Sequence, residues 1–254
     1  MLLTPLEQFK IISIFSIRLF CLDFSLTNVL LISIITLSIF ASIVYFCSYN
    51  SNTRRSFYLI PNSWQIFLET SYNTVSQLLF DNINLEGEKY FPFISSIFIF
   101  ILFNNLIGLI PYSFTVTSHI IITFTLSFSI FIGVNLIAYK HHNINMLSLF
   151  IPANTSFALA LILVPIEFIS YIAKPISLGV RLFINLMAGH TLLKVIVGFS
   201  WSMLLLKDVI SIIHTIPLII LVILMGLELG VALIQAYVFT VLTCIYLNDS
   251  INLH

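Results

Sequence analysis

Five stretches almost without charge divide this chain, and their lengths decide what they are. Leu26 to Cys47 carries no charged residue and matches the ~20 residues a helix needs to cross ~30 Å of hydrocarbon. Arg54 and Arg55 follow it. From Trp64 to Phe80, apolar Ile66, Phe67, Val75, Leu78 and Leu79 mix with Gln65, Glu69, Asn73 and Gln77. That pattern predicts an amphipathic helix suited to an interface. Phe91–Ile110 reads as a second span stopped by Pro111, and Thr117–Tyr139 as a third, followed by Lys140, His141 and His142. With Lys89 before span two, every basic flank falls on one side, the matrix or cytoplasm, and the chain start on the other.

The remaining two runs are too long for ordinary spans. Thr155 to Leu206 and Val209 to Leu247 are interrupted only by single polar residues. As helices they would reach roughly 75 and 58 Å, more than a ~20° tilt can absorb. Pro165 and Pro175 can kink the first without ending it. Neither run contains a charged or turn-rich break, so two long, strongly tilted helices are expected. They form an antiparallel hairpin closed near Lys207–Asp208. The expected fold is an all-α integral membrane protein with about five membrane helices in a single domain, 1–254. Its parts are an N-terminal segment 1–25, a first span 26–48, an amphipathic helix 63–80, a helical hairpin 91–139 and the tilted hairpin 155–249.

Composition agrees. Hydrophobic residues make up 59% and charged residues 8%, with a mean hydropathy of +1.11, where a soluble domain carries roughly a quarter charged. Zero net charge offers no field for nucleic acid. Cys21, Cys47 and Cys244 form no CxxC pair and read as packing residues. Met1 to Asp23 mixes Glu7, Lys10, Arg18 and Asp23 with apolar residues, so no cleavable secretory signal is expected. Phe (24 residues) and abundant Ile and Ser hint at an A/T-rich organelle genome. HExxH, GxSxG and phosphate-loop signatures are missing, which argues against hydrolase or nucleotide chemistry on this chain.

Ionisable groups inside apolar helices are expensive, roughly 2.5–3.5 kcal/mol each, and read as functional. The first long helix carries Glu167, Lys174, Arg181, Asn185 and His190; the second carries Glu228, Gln235 and Asp249. Glu167, Lys174 and Arg181 are spaced by sevens and Asn185 follows one turn on, so they share a stripe. Glu228, Gln235 and Asp249 make a second stripe, while His190 falls on roughly the opposite face from Arg181. Setting Arg181 level with Gln235 in an antiparallel pair puts Glu167 and Asp249 toward the basic-flank side. His190 and Glu228 then lie toward the other. Two groups of proton-exchanging side chains are expected with an arginine between them. A guanidinium stays cationic where lysine can shed its proton, so it blocks direct passage and attracts a partner's carboxylate. Lys174 also suits snorkelling toward an interface, and His119, His141 and His142 suit span ends.

The segment ISLGVRLFINLMAGHTLL, residues 176–193, closely resembles the signature of the ATP synthase subunit a family. TPLEQF near the start, NNLIGLIPYSF at 104–114 and ELGVALIQAYVFTVLTCIYLND at 228–249 are similar to fungal and plant mitochondrial versions. The resemblance implies a proton-translocating stator in a multi-pass mitochondrial inner-membrane complex, with the N-terminus in the intermembrane space and the C-terminus toward the matrix. Arg181 matches the arginine facing the carboxylate of the rotating c-ring, with Asn185 and Gln235 as its polar neighbours. His190 and Glu228, with Asn105, match the intermembrane-space half-channel, and Glu167 and Asp249 the matrix half-channel. The implied partners are the c-ring of subunit c, subunit b, a subunit 8-like chain and other Fo and peripheral-stalk subunits, lipid, and protons as transported ion, with no nucleic acid. A dimeric ATP synthase is left open. No cofactor or resident metal is implied, His190 and Glu228 offering at most an adventitious metal site. A stand-alone ion carrier is the alternative, but duplicated halves and glycine-broken helices are not evident.

Overall fold

The computed structural model describes residues 9–16, 18–19, 22–23, 25–49, 63–110, 113–143, 157–205 and 211–252. The helices are α1 (Asn28–Tyr49), α2 (Ser63–Ile83), α3 (Phe91–Gly108), α4 (Ile120–His142), α5 (Phe157–Leu205) and α6 (Ser211–Ile251). Among the described residues, five stretches are long and apolar enough to cross a membrane: Asn28–Tyr45, Gly87–Gly108, Ile120–His142, Leu159–Met203 and Ile216–Ile251. The amphipathic segment is α2. Its Val75, Leu78, Leu79 and Ile83 are buried while Trp64, Tyr72 and Phe80 stay exposed.

Both long runs are single helices, 49 residues in α5 and 41 in α6, or about 74 and 62 Å at 1.5 Å per residue. Pro165 and Pro175 lie inside α5 and Pro217 inside α6 without ending either. The expected turn near Lys207–Asp208 lies outside the described residues. Polar side chains are accommodated in the spans by bonding backward along their own helix. Ser33, Thr36, Ser38 and Ser42 of α1 each donate to the carbonyl three residues earlier, at 2.7–2.8 Å. A hydroxyl satisfied this way can cross hydrocarbon with no other partner.

The N-terminal segment holds short strands that the hydrophobic pattern does not reveal. β1 (Ser13–Phe15) pairs antiparallel with β4 (Leu26–Thr27), and β2 (Arg18–Leu19) with β3 (Leu22–Asp23) inside it. Asn28 closes this hairpin onto the start of α1. Its Oδ1 accepts from the Ile12 and Val29 N–H groups at 3.3 and 3.1 Å, and its Nδ2 donates to the Lys10 carbonyl at 3.1 Å. An asparagine suits a helix start because its oxygen satisfies an N–H that the helix cannot.

The chain divides into two compact units. The first comprises Met1–Leu68, Ile99–His119 and Phe183–Ala236; the second Glu69–Phe98, Ile120–Leu182 and Tyr237–His254. In the first, Phe103 of α3 is buried and meets the rings of Phe40 and Phe67 at 5.6 and 6.4 Å. In the second, Ile94, Leu178, Leu182, Phe239, Cys244 and Leu247 make a dry core. Gly179 lets α5 approach α4 there, since a Cβ would lie 2.7 Å from the Ser127 hydroxyl and 3.1 Å from the Thr123 carbonyl. Small residues serve helix packing in membranes this way.

Candidate functional site

In the first unit α5 and α6 run antiparallel. Asn185 Nδ2 donates to Gln235 Oε1 at 2.8 Å. One turn further along α5, Glu228 lies over Gly189, where an added Cβ would stand 2.6 Å from Oε1 and 3.1 Å from the carboxyl carbon. The absent side chain at 189 is what seats this carboxylate against the helix. His190 follows directly. Its Nε2 lies 3.9 Å from where a Cβ on Gly108 of α3 would stand, and its ring meets Phe9 at 5.8 Å. Asn105 is fully buried and donates to the Ala232 carbonyl at 3.3 Å.

Much of this cluster's hydrogen-bonding capacity is unused. Asn105 Oδ1, Thr115 Oγ1, His190 Nε2, Glu228 Oε1 and Gln235 Nε2 are buried with no hydrogen-bond partner among the described residues. A buried polar atom left unsatisfied costs about 1–3 kcal/mol, and clustered ones suit a hydrated path. Nearby, Phe114 packs on His119 at 5.2 Å. Burial holds the His119 imidazole, which precedes the span starting at Ile120, below its usual range.

The second unit has a different chemistry. Lys174 Nζ of α5 lies 3.4 Å from Asp249 Oδ2 of α6 and sits 5.8 and 5.2 Å from the ring centres of Tyr171 and Tyr246. The Tyr171 hydroxyl donates to Asn135 Oδ1 of α4, and its ring meets Phe131 at 5.0 Å. Lys174 joins α5 to α6, and Tyr171 joins α5 to α4. Lys174, read from the sequence as suited to snorkelling, has an ion-pair partner. Glu167 Oε2 is buried without a partner among the described residues. His142, expected only at a span end, bonds through a ring nitrogen to the Ile251 carbonyl at 2.8 Å.

Arg181 occupies the outward row of α5. Ser170, Ala173 and Ser177 precede it at helical spacing and all four are exposed. Its guanidinium acts on Tyr246 electrostatically, but it makes no hydrogen bond or ion pair among the described residues.

The antiparallel pairing agrees with expectation, and Glu228 over Gly189 falls within one residue of the expected register. Gln235 is level with Asn185, one turn beyond Arg181. Asp249 pairs through the long lysine stem with Lys174, where the expected register sets it opposite Glu167. Helical spacing tells which side chains share a face but leaves the sliding of one helix along another open. The seat of Glu228 on Gly189 and the Asn185–Gln235 bond set it in the first unit. Sequence reasoning also passed over Tyr171, Tyr246, Asn135 and Thr115. Tyr171, one turn before Lys174, was the one discoverable signal. No group of three or more His, Cys, Asp or Glu able to hold a metal occurs among the described residues, so His190 and Glu228 lack a third such ligand.

These observations define a multi-pass helical membrane protein with ionisable side chains built into its two longest helices. Residues 30–248 match the family model described as ATP synthase A chain. The chain is similar over its whole length to three proteins named ATP synthase subunit a. That of Chondrus crispus is 48% identical over 99% of this chain and 97% of the relative. That of Pylaiella littoralis is 50% identical over 99% of each, and that of Marchantia polymorpha 46% over 99% of each. The chain belongs to the ATP synthase A chain family. It is a non-catalytic membrane subunit of the proton-translocating Fo sector, with ATP chemistry on other subunits.

Proposed function

We propose that this chain is the stator of the rotary motor in a mitochondrial inner membrane. It delivers protons to ring carboxylates through one half-channel and takes them away through a second. The observation that carries this reading is the exposed Arg181 guanidinium on a largely apolar helix, with no hydrogen bond or ion pair among the described residues. A charge there costs roughly 2.5–3.5 kcal/mol on insertion scales unless it meets a counter-ion. The small side chains of Ala173 and Ser177 in the same row allow a partner helix to come close. A passing carboxylate of a c-ring is the counter-ion that suits the row. Being permanently cationic, the arginine draws the carboxylate into its ionised form and refuses to relay the proton itself.

On this reading His190, Glu228 and Asn105 line the intermembrane-space inlet, supported by the unsatisfied polar atoms around them. Glu167 and Asp249 belong to the matrix side, and Asn185 and Gln235 to the neighbourhood of the arginine. The two long helices lie strongly tilted, the N-terminus faces the intermembrane space and the C-terminus the matrix. The partners are the c-ring, subunit b, a subunit 8-like chain and surrounding lipid. Each proton crossing a 100 mV potential delivers ~2.3 kcal/mol, and offset half-channels oblige it to ride the ring.

Arg181→Ala tests this. ATP-driven proton pumping in membrane vesicles should fall by at least about 100-fold, the scale of losing one charge-stabilising group, with the complex still assembled. Ordinary coupled pumping by the variant would refute the assignment.

A further inference from the structure

We infer that Phe9 is a positioning residue whose ring caps His190 and Lys194 and screens the imidazole from bulk water. The inference rests on reading His190 and Glu228 as a proton inlet. Phe9 is 6% exposed, whereas Lys10 through Ser16, which follow it, are all exposed. Its ring lies 5.8 Å from the His190 imidazole, tilted by 57°, and 5.7 Å from Lys194 Nζ. His190 and Lys194 are one turn apart on α5, so a single ring covers both. An ammonium over an aromatic face is attracted by the ring quadrupole, which draws Lys194 to the same ring.

The N-terminal hairpin explains how the ring is held. Strands β1 and β4 fold residues 13–27 back on themselves, and Asn28 ties the Lys10 carbonyl and the Ile12 N–H to the start of α1. Phe9 therefore stands ahead of β1, one residue from that tie. A ring laid on the imidazole removes directions from which water can reach it and restricts its rotation. Both effects confine proton exchange at His190 to fewer routes.

Diethyl pyrocarbonate, which acylates accessible neutral imidazoles, tests this on the assembled complex in membranes, with the extent at each histidine read by mass spectrometry. Phe9→Ala should raise the rate at His190 roughly fivefold relative to His141, the order expected when a ring contact is lost. Phe9→Tyr should restore the wild-type rate, and Phe9→Leu should fall between. If Phe9→Ala does not assemble, Phe9→Leu alone decides. Wild-type modification of His190 in Phe9→Leu and in any Phe9→Ala complex that assembles would overturn the inference. Normal pumping by Arg181→Ala would instead remove the inlet reading, while the acylation rates would still show whether the ring shields His190.

Discussion

The polar clusters of the two units are built from similar side chains yet solve the burial of charge in opposite ways. In the second unit Lys174 and Asp249 satisfy each other, and two tyrosine rings box the ammonium. In the first, His190 and Glu228 sit against glycines, and each keeps a buried polar atom without a hydrogen-bond partner among the described residues. The first cluster has capacity to spare for water and a travelling proton. The second has spent most of its own internally, with Glu167 keeping a buried oxygen that has no partner among the described residues. An ion pair is a poor relay because each partner already holds what the other lacks. On the proposed path the two clusters therefore differ in kind: one keeps unused hydrogen-bonding capacity, the other is braced by an ion pair.

Three substitutions press on that contrast. The largest effect is expected from Glu228→Gln, which keeps the shape but removes the exchangeable proton. Proton flow measured in vesicles stripped of the catalytic sector should fall at least tenfold, about 1.4 kcal/mol of barrier. Unaltered flow would take Glu228 out of the path. Gly189→Ala should act less strongly, about fivefold on the same flow, because the new Cβ must displace the carboxylate that lies 2.6 Å away. If flow stays normal while a structure of the variant shows Glu228 moved, the seat is irrelevant to transport. The mildest is Lys174→Gln. Both members of its pair are partly exposed, 36% and 41%, and such pairs contribute about 0–1 kcal/mol. Pumping should drop by no more than about twofold, and Lys174→Arg should recover it. A tenfold loss would mean that the second cluster takes part in transport rather than framing it.

The elements of this fold were legible in the chain because each is written locally. A run of apolar residues from Phe157 onward announces α5 whatever it packs against, and the spacing of Arg181 and Asn185 places them one turn apart without any partner. What could not be read is whatever depends on two segments meeting. Lys174 and Asp249 are 75 residues apart, and nothing local distinguishes a paired lysine from a snorkelling one. The one-turn slide between Arg181 and Asn185 opposite Gln235 has the same origin. Strands of two or three residues around Arg18 and Leu22 carry too little periodicity to see, since they exist only because the hairpin is tied at Asn28. Arg181 was the exception: a permanent cation in hydrocarbon demands an explanation before any partner is known.

The bare backbone at residue 189 also bears on how this chain can vary over generations. Every amino acid other than glycine brings a Cβ, and that atom would stand where the Glu228 oxygen now rests. Any nucleotide change in that codon that alters the residue therefore disturbs a carboxylate 39 positions away on another helix. A small side chain at 189 asks only that the flexible end of Glu228 swing aside, so what such a change alters is where that carboxylate rests rather than whether the helices pack.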